Sequence, residues 1–395
     1  MQRSLRNGFL GWGWLLPCLF PVAQVVGRSV FTVFEVIYLA WAALAMLGVR
    51  AGLERLVVAF YTALLGSFLA SVLAGDDPAG GLDEWAKLLA QTSIFFWTVL
   101  ALEQAADGPR RLAVGLGFGG LLLLLALYVK LAFQVWDPGF TPQLHMSEDN
   151  LAFLTPFTLF LTVNRASERI RRFAIGLLLG ATIAYVGASR GRAALLGLIA
   201  GLGLYAVLVA GYRVRIAVLG MMVFLGVAIT FCAPTMLHKA WKGRSWMEVL
   251  DRFTSKRSVL WRQLYAHPSE GPWLGAGMGD KDGYAAVFSV DLGEKGIITV
   301  KHLHNFLLDA WFETGAIGLT ALCAWLIYVL WRGARAWRTR MAERQLSGLY
   351  LAASAAILVS AFLSFSYRSK PFAIYLFLFL AVLVYLSKPP AMQRA

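Results

Sequence analysis

Leu112 to Val135 reads LAVGLGFGGLLLLLALYVKLAFQV, with Lys130 its single charge. At about 1.5 Å per residue a helix of this length crosses a bilayer core of about 30 Å. The apolar residues fill the stretch without forming an amphipathic stripe. Such blocks are too long and too uniform for the alternating strands of an outer-membrane barrel, so helices are the spanning element.

The same pattern extends along the whole chain. Apolar residues make up 59% of the sequence and charged residues 15%, with a mean hydropathy of +0.65. A soluble domain carries roughly a quarter charged residues. The sequence predicts an all-α membrane protein of about twelve spans, near 9–26, 30–49, 56–74, 85–104, 112–135, 150–164, 172–189, 192–210, 214–233, 305–331, 347–366 and 371–387. One connection is long, about Pro234 to Leu303. It divides the chain into spans 1–9 (residues 1–233), a loop (234–303), and spans 10–12 with a tail (304–395). No low-complexity segment or internal repeat is visible.

A formal charge of +14 would suggest nucleic acid in a soluble protein. In a membrane protein, Lys and Arg accumulate in cytoplasmic loops instead, so no nucleic-acid partner is expected. With the N-terminus placed inside, the inner segments carry nineteen Lys and Arg and the short outer links carry five. This orientation puts both termini in the cytoplasm and the long loop outside. The basic N-terminal start is followed by no small-residue cleavage site, so it reads as an anchor. Cys18, Cys232 and Cys323 lie in or beside apolar blocks and suggest neither a disulfide framework nor a metal site.

The five outer cations are Arg28, Arg190, Arg192, Arg368 and Lys370. Guanidinium groups on the side where topology disfavours them fit an anion site, and they also fit snorkelling to lipid phosphates. His302-Leu303-His304-Asn305 directly precedes an apolar helix, which His304 or Asn305 could cap. The helix dipole and nearby arginines would keep an imidazole there neutral, suited to general-base work; a merely capping or interfacial histidine fits equally. Asp309 and Glu313, four residues apart, share a helix face, and Glu313 falls at membrane depth, where acids have partners. In the loop, residues 256–262 suit a helix presenting Arg257. Gly275, Gly277 and Gly279 mark tight turns that allow close approach to a ligand. Asp280 and Asp282 could pair on a metal, but an acidic turn is the commoner meaning. No metal or cofactor is expected.

Ser189-Arg190-Gly191, Arg257 with Leu260-Trp261, Gly275-x-Gly277-x-Gly279, and His304-Asn305-x-x-Leu308 with Glu313-Thr314-Gly315-Ala316-Ile317-Gly318 occur in this order. Together they resemble the O-antigen ligase and O-antigen polymerase superfamily, from about span 7 through span 10. The resemblance implies a glycosyltransferase with a GT-C-like fold in the bacterial inner membrane. It would take an undecaprenyl-diphosphate-linked glycan as donor and pass it, with inversion, to a sugar hydroxyl of lipid A-core at the periplasmic face. By the same resemblance, Arg190 and Arg257 hold the diphosphate and His304 is the base, with Arg192, Arg262, His302, Asn305 and Glu313 as further candidates. Two rival readings are an O-antigen polymerase joining two polyprenyl-linked units and a transporter of lipid-linked glycans. Transporters often carry repeat symmetry and midplane sites, whereas the residues of interest here gather at one face.

Overall fold

The structure is a computed structural model and describes residues 13–45, 53–105, 107–136, 147–165, 168–188, 191–212, 214–220, 245, 247–248, 251, 254, 256–269, 271–279, 284, 287–291, 297–300 and 302–389. The apolar blocks form α1 (Leu16–Val26), α2 (Arg28–Ala45), α3 (Arg55–Ala74), α4 (Pro78–Thr92), α5 (Ile94–Leu102), α6 (Gly108–Trp136), α7 (Ser147–Arg165), α8 (Glu168–Ala188) and α9 (Arg192–Leu208). After α10 (Arg257–Ala266) and a short antiparallel pair, β1 (Ser289–Asp291) and β2 (Ile297–Thr299), come α11 (Phe306–Thr339), α12 (Arg344–Ser364) and α13 (Lys370–Ser387).

Among the described residues, six helices are long and apolar enough to cross a membrane: α3, α4 joined with α5, α6, α11, α12 and α13. Five shorter apolar helices of 10–17 residues occupy the predicted spans 1, 2, 6, 7 and 8. Most of the predicted ninth span lies outside the described residues. The chain is a multi-pass, helical membrane protein, and the small β1–β2 sheet lies in the long loop.

Helix α13 is the central spine. Every residue from Phe372 to Leu386 is buried, so other helices surround it on all sides. Around it, α9 and α12 approach through small side chains. A Cβ at Gly197 would come within 2.0 Å of Ser360 Oγ, and one at Gly201 within 2.8 Å of Ala356 Cβ. Small residues permit this closeness where lipid offers no hydrophobic driving force between helices.

The connections sort into two ends. At one end Arg332 grips Glu54 with both Nη atoms, at 2.5 and 2.8 Å, and Lys388 pairs with Glu103. Tyr350 donates to the carbonyl of Pro109 there, and Trp337 to that of Leu208. At the other end Arg368 meets Glu84 at 3.0 Å, Lys370 meets Glu35 at 2.6 Å, and Gly75 touches Gly277.

Candidate functional site

The site grows from the start of α11. Asn305 is the N-cap: its side-chain oxygen accepts from the N–H groups of Leu307 at 3.0 Å and Leu308 at 3.2 Å, two of the donors a helix start leaves unpaired. Of the two residues suited by sequence to that role, Asn305 fills it. His304 is thereby free of capping. Its backbone takes φ 55°, a left-handed conformation uncommon outside glycine. Its Nδ1 lies 3.4 Å from the carbonyl of Ser364 at the end of α12. A carbonyl can only accept, so Nδ1 carries the proton in this contact and Nε2 is left with its lone pair.

The ring of His302 stands edge-on to that of His304, with centroids 4.1 Å apart, and His302 Nδ1 is buried without a hydrogen-bond partner among the described residues. Burial, then His302, then Arg257 push the His304 imidazole down to about 3; the Ser364 carbonyl opposes them. The sequence reading assigned this neutrality to the helix dipole and arginines, whereas burial leads. His302 is also held below its ordinary value, by burial first and then by Arg368.

Arg257 opens α10, as the sequence suggested, and is half-buried. Burial lowers its affinity for the proton; Asp149, near the start of α7, opposes this and Arg192 adds to it. An arginine whose surroundings leave its charge under-compensated is suited to an anion. Asp149 was missed from sequence, and it is 6% exposed. Arg192 opens α9 and is exposed. Arg190, Asp280 and Asp282 lie outside the described residues. Among the described residues, no three His, Cys, Asp or Glu side chains gather as metal ligands.

Other candidates serve the scaffold. Arg262 pairs with Asp251 at 2.8 Å, and Ser258 donates to the same carboxylate at 2.6 Å, so Arg262 braces the start of its own helix. Glu313 is fully buried. Its carboxylate accepts from Arg368 Nη2 and from the Tyr367 hydroxyl, each at 2.5 Å. The partner expected of an acid at that depth is therefore Arg368, which also holds Glu84. Lys370 is paired with Glu35. Arg368 and Lys370 thus serve carboxylates of the bundle.

The glycine run also has a use that the sequence reading missed. Helix α11 breaks at Gly315, at φ 62° and ψ −165°. Residues 272–277 fill the break: Ala276 and Gly277 donate to the carbonyls of Phe312 and Glu313, at 2.9 and 3.0 Å, while Pro272 and Trp273 accept from Ala316 and Ile317. Opened backbone in an apolar bundle persists only when protein satisfies it. A Cβ at Gly275 would lie 2.4 Å from Glu313 carbonyl atoms, so this glycine admits protein backbone rather than a ligand.

A multi-pass helical bundle with two histidines held below their ordinary proton affinity and a half-buried arginine at one end is the class that fold and site define. Residues 175–323, less than half of the chain, match the family model described as O-antigen ligase. That segment carries His302, His304, Asn305, Arg190, Arg192, Arg257, Arg262 and Glu313. The match supports the resemblance to the O-antigen ligase family, and points to ligase- or polymerase-type activity in general. No curated protein matches the chain significantly.

Proposed function

We propose that the protein is an O-antigen ligase of the bacterial inner membrane, with both termini cytoplasmic, about twelve spans, and its site facing the periplasm. Its donor is an undecaprenyl-diphosphate-linked glycan and its acceptor a sugar hydroxyl of lipid A-core. Arg190 and Arg257 hold the diphosphate. His304 Nε2 takes the acceptor's proton as the acceptor oxygen bonds to the anomeric carbon. The bond from that carbon to the phosphate oxygen breaks on the opposite face, and the diphosphate departs with the electron pair. Attack opposite the leaving group inverts the anomeric centre. Bidentate guanidinium contacts stabilise the charge that develops on the diphosphate, so no metal is required. Exposed apolar side chains along the bundle, such as Leu125 and Ile327, offer surface for the polyprenyl tail.

The observation that carries this reading is the placement of His304, packed against His302 with Nδ1 on the Ser364 carbonyl so that Nε2 is the ring's remaining acceptor, in the neighbourhood of Arg257. The test supplies purified protein with labelled donor and either lipid A-core or a second donor molecule, each with and without EDTA. Glycan covalently attached to lipid A-core, unaffected by EDTA, is the expected product. Chain extension on the second donor would make the protein a polymerase, and no covalent product with either would return it to the transporters. Loss with EDTA and recovery with magnesium would promote Asp280 and Asp282 to ligands.

A further inference from the structure

The backbone of Leu303 is held through both its N–H and its carbonyl. Its N–H donates to Asp309 Oδ1 at 2.7 Å, and its carbonyl accepts from Trp261 Nε1 at 3.0 Å. The next residue, His304, is in the left-handed region. A non-glycine residue persists there only when its surroundings over-determine it, and such residues cluster at functional sites. Asp309 is fully buried, and the same oxygen also accepts from the Tyr284 hydroxyl at 2.9 Å. On the far side of His304, Asn305 is locked as the N-cap.

Trp261 is one helical turn beyond Arg257 on α10. Leu260 and Leu264 of that helix pack with Tyr284, Phe288, Leu303 and Phe312 in a core separate from the main bundle. The helix that carries Arg257 therefore also carries the donor to the Leu303 carbonyl.

We infer that Trp261 and Asp309 are positioning residues for His304, which clamp the two peptides flanking Leu303 and so aim the imidazole, with Trp261 tying that aim to the helix that bears Arg257. The inference rests on the reading of His304 as the base. Neither residue touches substrate. Asp309 acts as a hydrogen-bond acceptor, so its oxygen matters and its charge does not.

The experiment uses the full chain in nanodiscs with undecaprenyl-diphosphate glycan and lipid A-core. Trp261→Phe keeps an aromatic ring and removes the N–H. Its kcat should fall tenfold to about a hundredfold, the scale of a misplaced catalytic group, with donor KM within about twofold. The acid limb of its kcat profile should also move, because the ring is no longer held in one environment. Asp309→Ala should lose kcat similarly, and Asp309→Asn, whose amide oxygen still accepts, should recover most of it. Wild-type kcat and pH profile in Trp261→Phe, a loss confined to donor KM, or Asp309→Asn as impaired as Asp309→Ala would each overturn the inference. If Trp261→Phe fails to fold, the two Asp309 variants decide. Normal turnover by His304→Ala removes the base reading itself; an inactive His304→Ala beside unaffected Trp261→Phe and Asp309→Ala removes only the positioning role.

Discussion

Arg257 and Arg368 lie at the same end of the bundle, and sequence alone makes both look like arginines kept for an anion. Their surroundings separate them. Around Arg368, burial opposes the charge, but Glu313, Tyr367, Tyr284 and Glu84 outweigh it, and its proton is held more tightly than usual. Around Arg257, burial and Arg192 outweigh Asp149, and its proton is held less tightly. The first guanidinium is committed to carboxylates of the fold. The second is not committed in that way, which is what its proposed role at the diphosphate requires. An arginine on the outer side is thus a candidate only until its counter-ions are known.

The largest effect expected from this contrast is on turnover. Arg257→Ala should lower glycan transfer roughly a hundredfold or more while the protein still inserts and folds, since a charge-assisted contact to the leaving group is gone. Lysine at 257 should restore little, because it lacks the planar two-pronged contact. Near-normal transfer by Arg257→Ala would erase the distinction.

Arg368 should fail differently. Its removal strands the fully buried Glu313, and breaking a buried pair costs on the order of 3–5 kcal/mol. Arg368→Ala should therefore unfold at clearly lower temperature, and adding Glu313→Gln should recover part of the loss. Additive losses in that double variant would mean the pair is not coupled. A smaller loss of the same kind is expected from Gly275→Ala. Its φ of 77° disfavours a side chain, and the strain alone costs on the order of 1–3 kcal/mol before the contact with Glu313 is counted.

The pH profile sharpens the contrast further. With its value pushed down to about 3, His304 is neutral throughout the physiological range. The acid limb of kcat/KM, which reports the free enzyme, should therefore lie well below the ordinary imidazole value of 6.5. A bound diphosphate offsets Arg257 and favours the protonated ring, so the acid limb of kcat should sit at higher pH than that of kcat/KM. An identical limb near 6.5 in both profiles would mean that burial and Arg257 do not govern the base. The smallest effect belongs to Arg262→Ala. Its pairing with Asp251 is partly exposed, so stability should change by about 0–1 kcal/mol and transfer by less than twofold.

Length and hydrophobicity made the spanning helices legible, because a block such as Leu112–Val135 has one way to satisfy its backbone in lipid. A cap at His304 or Asn305 and the helix around Arg257 were also readable, since both are local. What depended on distant partners was hidden. Nothing in the order of residues ties Arg368 to Glu84, or Gly275 to the break at Gly315. Asp149 gave no signal beyond its place before an apolar helix. The hydrogen bond from Trp261 to the Leu303 carbonyl beside the left-handed turn spans forty-two residues of chain, and cannot be read from His302-Leu303-His304-Asn305 alone.

The division of labour between Arg257 and His304 is tested most directly by measuring donor affinity and single-turnover transfer separately in each alanine variant. Labelled undecaprenyl-diphosphate glycan is titrated into purified protein in nanodiscs, and lipid A-core is then added in excess. Arg257→Ala should bind the donor weakly. His304→Ala should bind it within about twofold of the natural protein and transfer almost none, because its arginines remain and only the proton acceptor is gone. Normal transfer by His304→Ala, or loss of its donor binding, would contradict the assignment and place His304 among the anchoring residues.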